Sequence, residues 1–287
     1  MDLKQLRSVV ISALFSDDVL FDTLVLKGGN ALDIVYNIGS RSSVDIDVSM
    51  PGDFNDVTEA RTRIFRSLEA RFAVHGYRVF DQEFEKRPST FREGQCENWG
   101  GYQVKFKLIS SSDFEKFEND FDALRRRSAT VGPLQQRKFK IDISKFEFCS
   151  SKIEAEVDDQ AIYVYSLPMM AMEKLRAICQ QLPAYVNLSH PRPRARDFLD
   201  IYVIESAGLS RIVSPMNYEL LIKIFAAKNV PIHLLDSVGD SREFHRPDWD
   251  AVRSSVSGEL QEFDFYFDYV LDLIKRLKTV GIVDSPL

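Results

Sequence analysis

Asp45 and Asp47 stand one residue apart in Val44-Asp45-Ile46-Asp47-Val48. In a β-strand successive side chains alternate between faces, so both carboxylates point one way while Val44, Ile46 and Val48 bury the other. A second alternating run, Phe139-Lys140-Ile141-Asp142-Ile143-Ser144, sends Phe139, Ile141 and Ile143 to a core and leaves Asp142 on the opposite face with Lys140 and Ser144. If these two strands are neighbours, three carboxylates converge, and anions that close repel one another unless cations lie among them. Mg2+ or Mn2+, hard ions that take oxygen ligands, would resolve the repulsion. Two such ions can clamp a triphosphate and activate an attacking hydroxyl. Taken alone, an Asp-x-Asp strand is equally well read as the solvated face of an edge strand.

The residues before it add weight. Leu24–Leu26 reads as a short strand that runs into Lys27-Gly28-Gly29-Asn30, with a helix over Asn30–Tyr36. Glycines at a strand-to-helix turn let the backbone approach a phosphate, and a helix start presents unpaired N–H groups to it. A strand, a Gly-Gly turn and a helix followed by an Asp-x-Asp strand resemble the layout of polymerase-beta-like nucleotidyltransferases.

Further along, Ser166-Leu167-Pro168 carries the capping hydroxyl and early proline of a helix start. On that helix the neighbours of Lys174 three and four positions away are Met170, Ala171, Ala177 and Ile178, whereas Arg176 points elsewhere. A lysine in an inward apolar stripe needs an anion or a route to water. The anion is either a phosphate or a structural carboxylate. Next, Arg192, Arg194 and Arg196 alternate in a proline-rich loop that enters a helix bearing Asp197 and Asp200 one turn apart, where carboxylates suit the helix start. These arginines fit contacts to a triphosphate or an RNA backbone, or a solvated loop. Arg125-Arg126-Arg127 and Arg137-Lys138 add basic character of the same kind.

The frame that positions these residues is mixed. Helices are expected at 2–15 and Val57–Val74, strands at Val44–Val48, Tyr77–Phe84, Tyr102–Ile109, Lys138–Phe148 and Ala161–Tyr165, with loop at 87–101 and an ambiguous stretch at 113–129. Helices dominate from there on. This gives an α+β protein with a core domain over residues 1–155 and a mainly helical domain over 156–287. The 287 residues carry a formal net charge of -6, so any nucleic-acid contact must come from a local basic patch. Cys96, Cys149 and Cys179 form no pair at metal or redox spacing, and four scattered histidines show no ligand pattern. No secretory leader or membrane span is read, which points to a reducing cytoplasm. A monomer is expected, since no self-association stripe is evident.

The joint pattern resembles the AbiEii/AbiGii toxin family, the enzymatic half of type IV toxin–antitoxin pairs, which includes the MenT nucleotidyltransferases. It is carried by Leu26-Lys27-Gly28-Gly29-Asn30-Ala31-Leu32, Arg41-Ser42-Ser43-Val44-Asp45-Ile46-Asp47, Lys140-Ile141-Asp142-Ile143, Glu173-Lys174-Leu175-Arg176-Ala177 and the run from Arg194 to Tyr202, in order from about residue 24 to 208. The resemblance implies a polymerase-beta-like core whose active site is completed by the helical domain. It makes Asp45, Asp47 and Asp142 metal ligands for Mg2+ or Mn2+, Lys174 a phosphate contact and Asp197 a further active-site acid. Lys27, Gly28, Gly29 and Asn30 would line the NTP, with Arg41 and Ser43 shaping the loop before the Asp-x-Asp strand. It also implies transfer of a nucleotide to RNA, in characterised members the tRNA 3′ end, with arrest of growth, a role in phage defence and control by an antitoxin such as a winged-helix repressor. One departure stands out. Gly28-Gly29-Asn30 replaces the usual Gly-Ser, so the hydroxyl contact to a triphosphate is absent there or supplied by another residue. Residues 85–136 match no motif and suit target recognition. Two other readings stay open: transfer to a protein or small molecule, as in antibiotic adenylyltransferases, and a non-catalytic partner-binding module.

Overall fold

Hydrophobic alternation in the first half of the chain becomes a sheet. Its strands are β1 (Val25–Lys27), β2 (Ile46–Ser49), β3 (Tyr77–Arg87), β4 (Gly101–Ser110), β5 (Phe139–Ser144), β6 (Lys152–Val157) and β7 (Gln160–Tyr165), in the order β3-β4-β5-β2-β1-β7-β6 among the described residues. The computed structural model describes residues 2–39, 45–90, 99–130, 136–187, 190–256 and 258–283. The chain divides into two units: Met1–Val35, Ser43–Cys149 and Ile153–Val164 form the first, and Tyr36–Ser42, Ser150–Lys152 and Tyr165–Leu287 the second. The α+β class expected from the sequence is the one observed.

In the first unit β1 pairs antiparallel with β2 and β2 pairs parallel with β5, which pairs antiparallel with β4. Leu26, Ile46, Val48, Val104, Phe106, Ile141 and Ile143 are all buried. Each such side chain contributes about 1.5–3 kcal/mol by leaving water. Helices α1 (Leu3–Phe15) and α4 (Val57–Val74) pack against each other, with the short α2 (Asp18–Thr23) between them in sequence. Phe72 of α4 lies 6.1 Å from Phe106, which stacks on Phe139 at 5.3 Å. The helix over Val57–Val74 has the bounds read from the sequence because Asp56 caps it, accepting the Thr58 and Glu59 N–H groups.

Several boundaries differ from expectation. After Lys27 the chain turns at once into α3 (Gly28–Asn30) and a π-helical turn over Ala31–Val35, so the helix starts two residues before Asn30. Strand β5 is shorter than the Lys138–Phe148 run, since Phe146 takes a left-handed φ of 56° and Glu147 N–H bonds back to Met50. The ambiguous 113–129 stretch is two short helices, α5 (Ser111–Phe117) and α6 (Phe121–Arg127). Phe80, Ile109 and Leu124 form a small core under them, with Phe114 and Phe117 packed on it. Strands β6 and β7 are joined through Asp158 and Asp159, both at positive φ, the backbone of a tight two-residue hairpin.

The second unit is mainly helical. Helix α7 (Leu167–Cys179), capped by Ser166, packs on α8 (Ala195–Ser206) and α9 (Pro215–Ala226), and α12 (Phe263–Val283) packs on both of the latter. Two short helices, α10 (Arg242–His245) and α11 (Trp249–Ser255), precede α12. Phe198 of α8 stacks on Phe267 at 5.0 Å and meets Phe263 edge-on at 5.5 Å. Helix α7 is buried on nearly every side, Arg176 included, so the inward stripe expected around Lys174 is almost the whole helix. No described helix is long and apolar enough to cross a membrane.

Candidate active site

Strand register brings the predicted residues of the first unit into one row. Lys27 lies opposite Asp47, Asp47 beside Asp142, and Asp142 opposite Gln103. Lys27, Asp47, Asp142 and Gln103 thus cross four strands on the face that the apolar residues leave. Neighbouring strands run about 4.8 Å apart. At that spacing two carboxylates repel by roughly 3 kcal/mol at an effective dielectric near 20. Polar groups of the row temper this. Gln103 Nε2 donates to Asp142 Oδ1 at 2.9 Å. The Lys27 ammonium donates to Ser144 Oγ at 3.2 Å and is 3.9 Å from Glu147.

Two residues of the Gly-Gly turn fix this geometry. Gly28 has φ +73°, and a Cβ added there would lie 2.6 Å from Asp47 Oδ2. Glycine is required twice over, by a conformation that L-residues disfavour and by the carboxylate pressed against the backbone. Gly29 follows, half-exposed. The Asn30 side chain has a structural part. It is fully buried. Oδ1 accepts from Arg7 at 2.9 Å, and Nδ2 donates to the Asp45 carbonyl at 2.6 Å. The amide clamps the chain where it enters β2, and Arg7 is held in turn by Asp33 at 2.8 Å.

Asp45 stands immediately before β2, half-buried, and strand alternation gives it the face of Asp47. Arg41 and Ser43 lie outside the described residues. The donors are all carboxylate oxygens, which suits a hard divalent cation. Asp47 and Asp142 are juxtaposed by register, but among the described residues no three His, Cys, Asp or Glu side chains close into a ready metal site. Register sets Asp47 beside Asp142, and a convergence of all three carboxylates is not displayed among the described residues.

Lys174 and Asp197 belong to the second unit and have partners there. The Lys174 ammonium is 3.1 Å from Asp197 and 2.7 Å from Asp200, and all three residues are buried. Of the two anions the sequence allowed for this lysine, the structure displays the carboxylate. Burial pushes the Asp197 carboxyl up. The charges of Arg194, Lys174 and Arg196 outweigh it and hold the group well below the usual carboxylate range. The three loop arginines part company: Arg194 turns in to pair with Asp197, while Arg192 and Arg196 are exposed. The Arg194 backbone N–H donates at 3.0 Å to Nδ1 of His245, a fully buried ring whose Nε2 finds no hydrogen-bond partner. Burial lowers its pKa to about 4 against the opposing pull of Asp197, with the Arg194 charge adding least.

Sequence reasoning missed Gln103, Arg7 and the clamping role of Asn30. Alternation along Tyr102–Ile109 assigns Gln103 to a polar face, but its partner depends on the pairing of β4 with β5, which no local pattern encodes.

Comparison with known proteins bears on the fold and on the family. No curated protein is similar in sequence. Among solved structures the chain is similar to JHP933 from Helicobacter pylori, with TM-score 0.50 and 11% identity over 98% of this chain and 92% of that one. A second H. pylori structure, of a candidate nucleotidyltransferase, matches with TM-score 0.50 and 11% identity over 98% and 96%. At such identity these likenesses speak to the fold alone. The sequence profile described as nucleotidyl transferase AbiEii toxin, type IV TA system, matches residues 10–269, wider than the 24–208 span carried by the motifs. The chain therefore belongs to the AbiEii nucleotidyltransferase toxin family of type IV toxin–antitoxin systems.

Proposed function

We propose that the protein transfers a nucleotide from an NTP to an RNA acceptor, the tRNA 3′ end, and so blocks translation and arrests growth. The observation that carries this reading is the row Lys27–Asp47–Asp142–Gln103 with the Gly28 backbone against Asp47. Such a row is rich in carboxylate, open in part to solvent and lined at one end by backbone without a side chain.

Asp45, Asp47 and Asp142 would hold Mg2+ or Mn2+, which supplies positive charge to the triphosphate when bound. Lys27, Gly28 and Gly29 border the triphosphate. With the reactants held in line, the 3′-hydroxyl oxygen forms a bond to the α-phosphorus while the bond to the β-phosphate oxygen breaks and pyrophosphate leaves. The hydroxyl proton passes to Asp142 Oδ2, since Gln103 holds Oδ1. The family resemblance gives Arg41 and Ser43 a part in nucleotide binding. RNA as acceptor is supported by exposed arginines on each unit, Arg125, Arg126 and Arg127 on the first and Arg192 and Arg196 on the second, which suit phosphate contacts. Membership of a toxin–antitoxin family implies an antitoxin partner.

The test is incubation of purified protein with each labelled NTP, Mg2+ and total tRNA, beside an Asp47→Ala control. Label on tRNA with the wild type only is the expected result. Metal-dependent NTP binding with no label on tRNA would remove RNA as acceptor and direct the search to proteins or small molecules.

A further inference from the structure

Two residues before Asp142, on the same face of β5, stands Lys140, half-buried. Lys105 of β4 lies opposite it. Carrying the parallel β2–β5 register one step back from the Ile46–Ile141 pair brings Asp45 level with it on the other side. The surrounding lysines have counter-ions. Lys105 sits 3.2 Å from Glu83 and 3.1 Å from Glu85, Lys107 sits 2.8 Å from Asp81, and Lys138 pairs with Glu83. Lys140 makes no ion pair among the described residues, although it flanks the carboxylate row.

An ammonium that makes no ion pair among the described residues is available to an arriving anion. That anion must also tolerate Asp45 and Asp142 nearby. A free carboxylate or chloride would be repelled by them. A phosphate that arrives with a divalent cation would not, because the cation answers the carboxylates and the lysine answers a phosphate oxygen.

We infer that Lys140 is a phosphate-binding residue of the carboxylate row, holding a non-bridging phosphate oxygen of a substrate laid against Asp45 and Asp142. This rests on the nucleotidyltransfer reading above. Two substrates of that reaction carry such a phosphate, the NTP and the acceptor strand, and both present the same chemistry to the ammonium.

The experiment uses the full chain as wild type, Lys140→Met, Lys140→Gln and Lys140→Arg, each with its melting temperature measured. One arm titrates the α,β-imido analogues of the four NTPs with Mg2+ by calorimetry. The other measures total tRNA binding across a salt series. Loss of one charge-assisted contact weakens binding by about tenfold or more, so the Met and Gln variants should lose that much in one arm while Arg restores most of it. A loss in the nucleotide arm assigns the phosphate to the NTP. A loss in the RNA arm, with the salt slope shallower by about one, assigns it to the acceptor. Unchanged binding in both arms by folded variants, beside a wild type that binds, overturns the role of Lys140 and leaves the nucleotidyltransfer reading standing. A wild type that binds neither ligand overturns both.

Discussion

The protein has two clusters built from the same residue types, Asp and Lys, and they are in opposite electrostatic condition. On the sheet unit, Asp47 and Asp142 are side by side and half-exposed, and Lys27 is divided between Ser144 and Glu147. In the helical unit, Lys174 lies between Asp197 and Asp200, with Arg194 closing the other side of Asp197, and all but Arg194 are buried. The first cluster sets carboxylates beside one another at a half-exposed face. The second supplies its own cations and excludes water. A half-exposed carboxylate row is read through the proposed function, which gives it a cation and a triphosphate to bind. A buried, internally neutralised set is explained first by the packing of α7 on α8, whatever further part it has.

The widest separation between the clusters is expected on activity. Asp47→Asn should cut nucleotide transfer on the order of a thousandfold or more, with a melting temperature little changed because the residue is half-exposed. A fall in melting temperature of many degrees would show instead that the row is structural. The converse substitution, Lys174→Met, leaves Asp197 and Asp200 buried with their shared cation gone. It should cost about 3–5 kcal/mol in urea unfolding, and a loss below about 1 kcal/mol would end the structural reading of that lysine.

Acid separates the clusters next. His245, with its pKa lowered to about 4 in the fold, stays neutral inside, while in the unfolded chain it takes up a proton near pH 6.5. Its contribution is therefore complete above pH 6.5 and is lost as the pH falls to 4, by about 3 kcal/mol. Asp197 is shifted below its ordinary value of 3.8, so its contribution is present above about pH 4 and is lost only below it. Unfolding followed between pH 4 and 7 should accordingly show a slope that His245→Asn flattens; an unaltered slope would mean that another group carries it. The smallest contrast lies within the arginine loop. Arg194→Ala should cost about 1–2 kcal/mol through Asp197, whereas exposed Arg192→Ala should stay within about 0.5 kcal/mol. Equal effects would erase the distinction drawn between them.

What could be read in advance follows from the range of each signal. The alternation of Ile46–Val48 and of Phe139–Ile143 is local, and it assigned Asp47 and Asp142 to a polar face before any pairing was known. The Ser166 and Asp56 caps are local too. The parallel pairing of β2 with β5 is not, since some ninety residues separate them and only the folded sheet sets one beside the other. The same range limits the helical unit. A lysine amid Met170, Ala171, Ala177 and Ile178 announces that an anion is needed, but the choice between a phosphate and Asp197 with Asp200 depends on how α8 docks. Helix α2 was missed although Asp17 caps it by accepting from Val19 and Leu20, because its six residues show too little periodicity to stand out from the Asp-rich segment around them. The clamping part of the Asn30 side chain is hidden for a related reason. An amide beside two glycines looks available for a ligand until the burial of Arg7 shows what holds it.

Gly28 carries a consequence for inheritance. Every single-base change in a glycine codon that alters the residue adds at least a Cβ, and at this position that atom would meet Asp47 Oδ2 at 2.6 Å. No neighbouring genotype is mild there. Drift at position 28 presses on Asp47, so under the proposed function a gene selected to keep its product harmless has a one-step exit that leaves most of the chain in place.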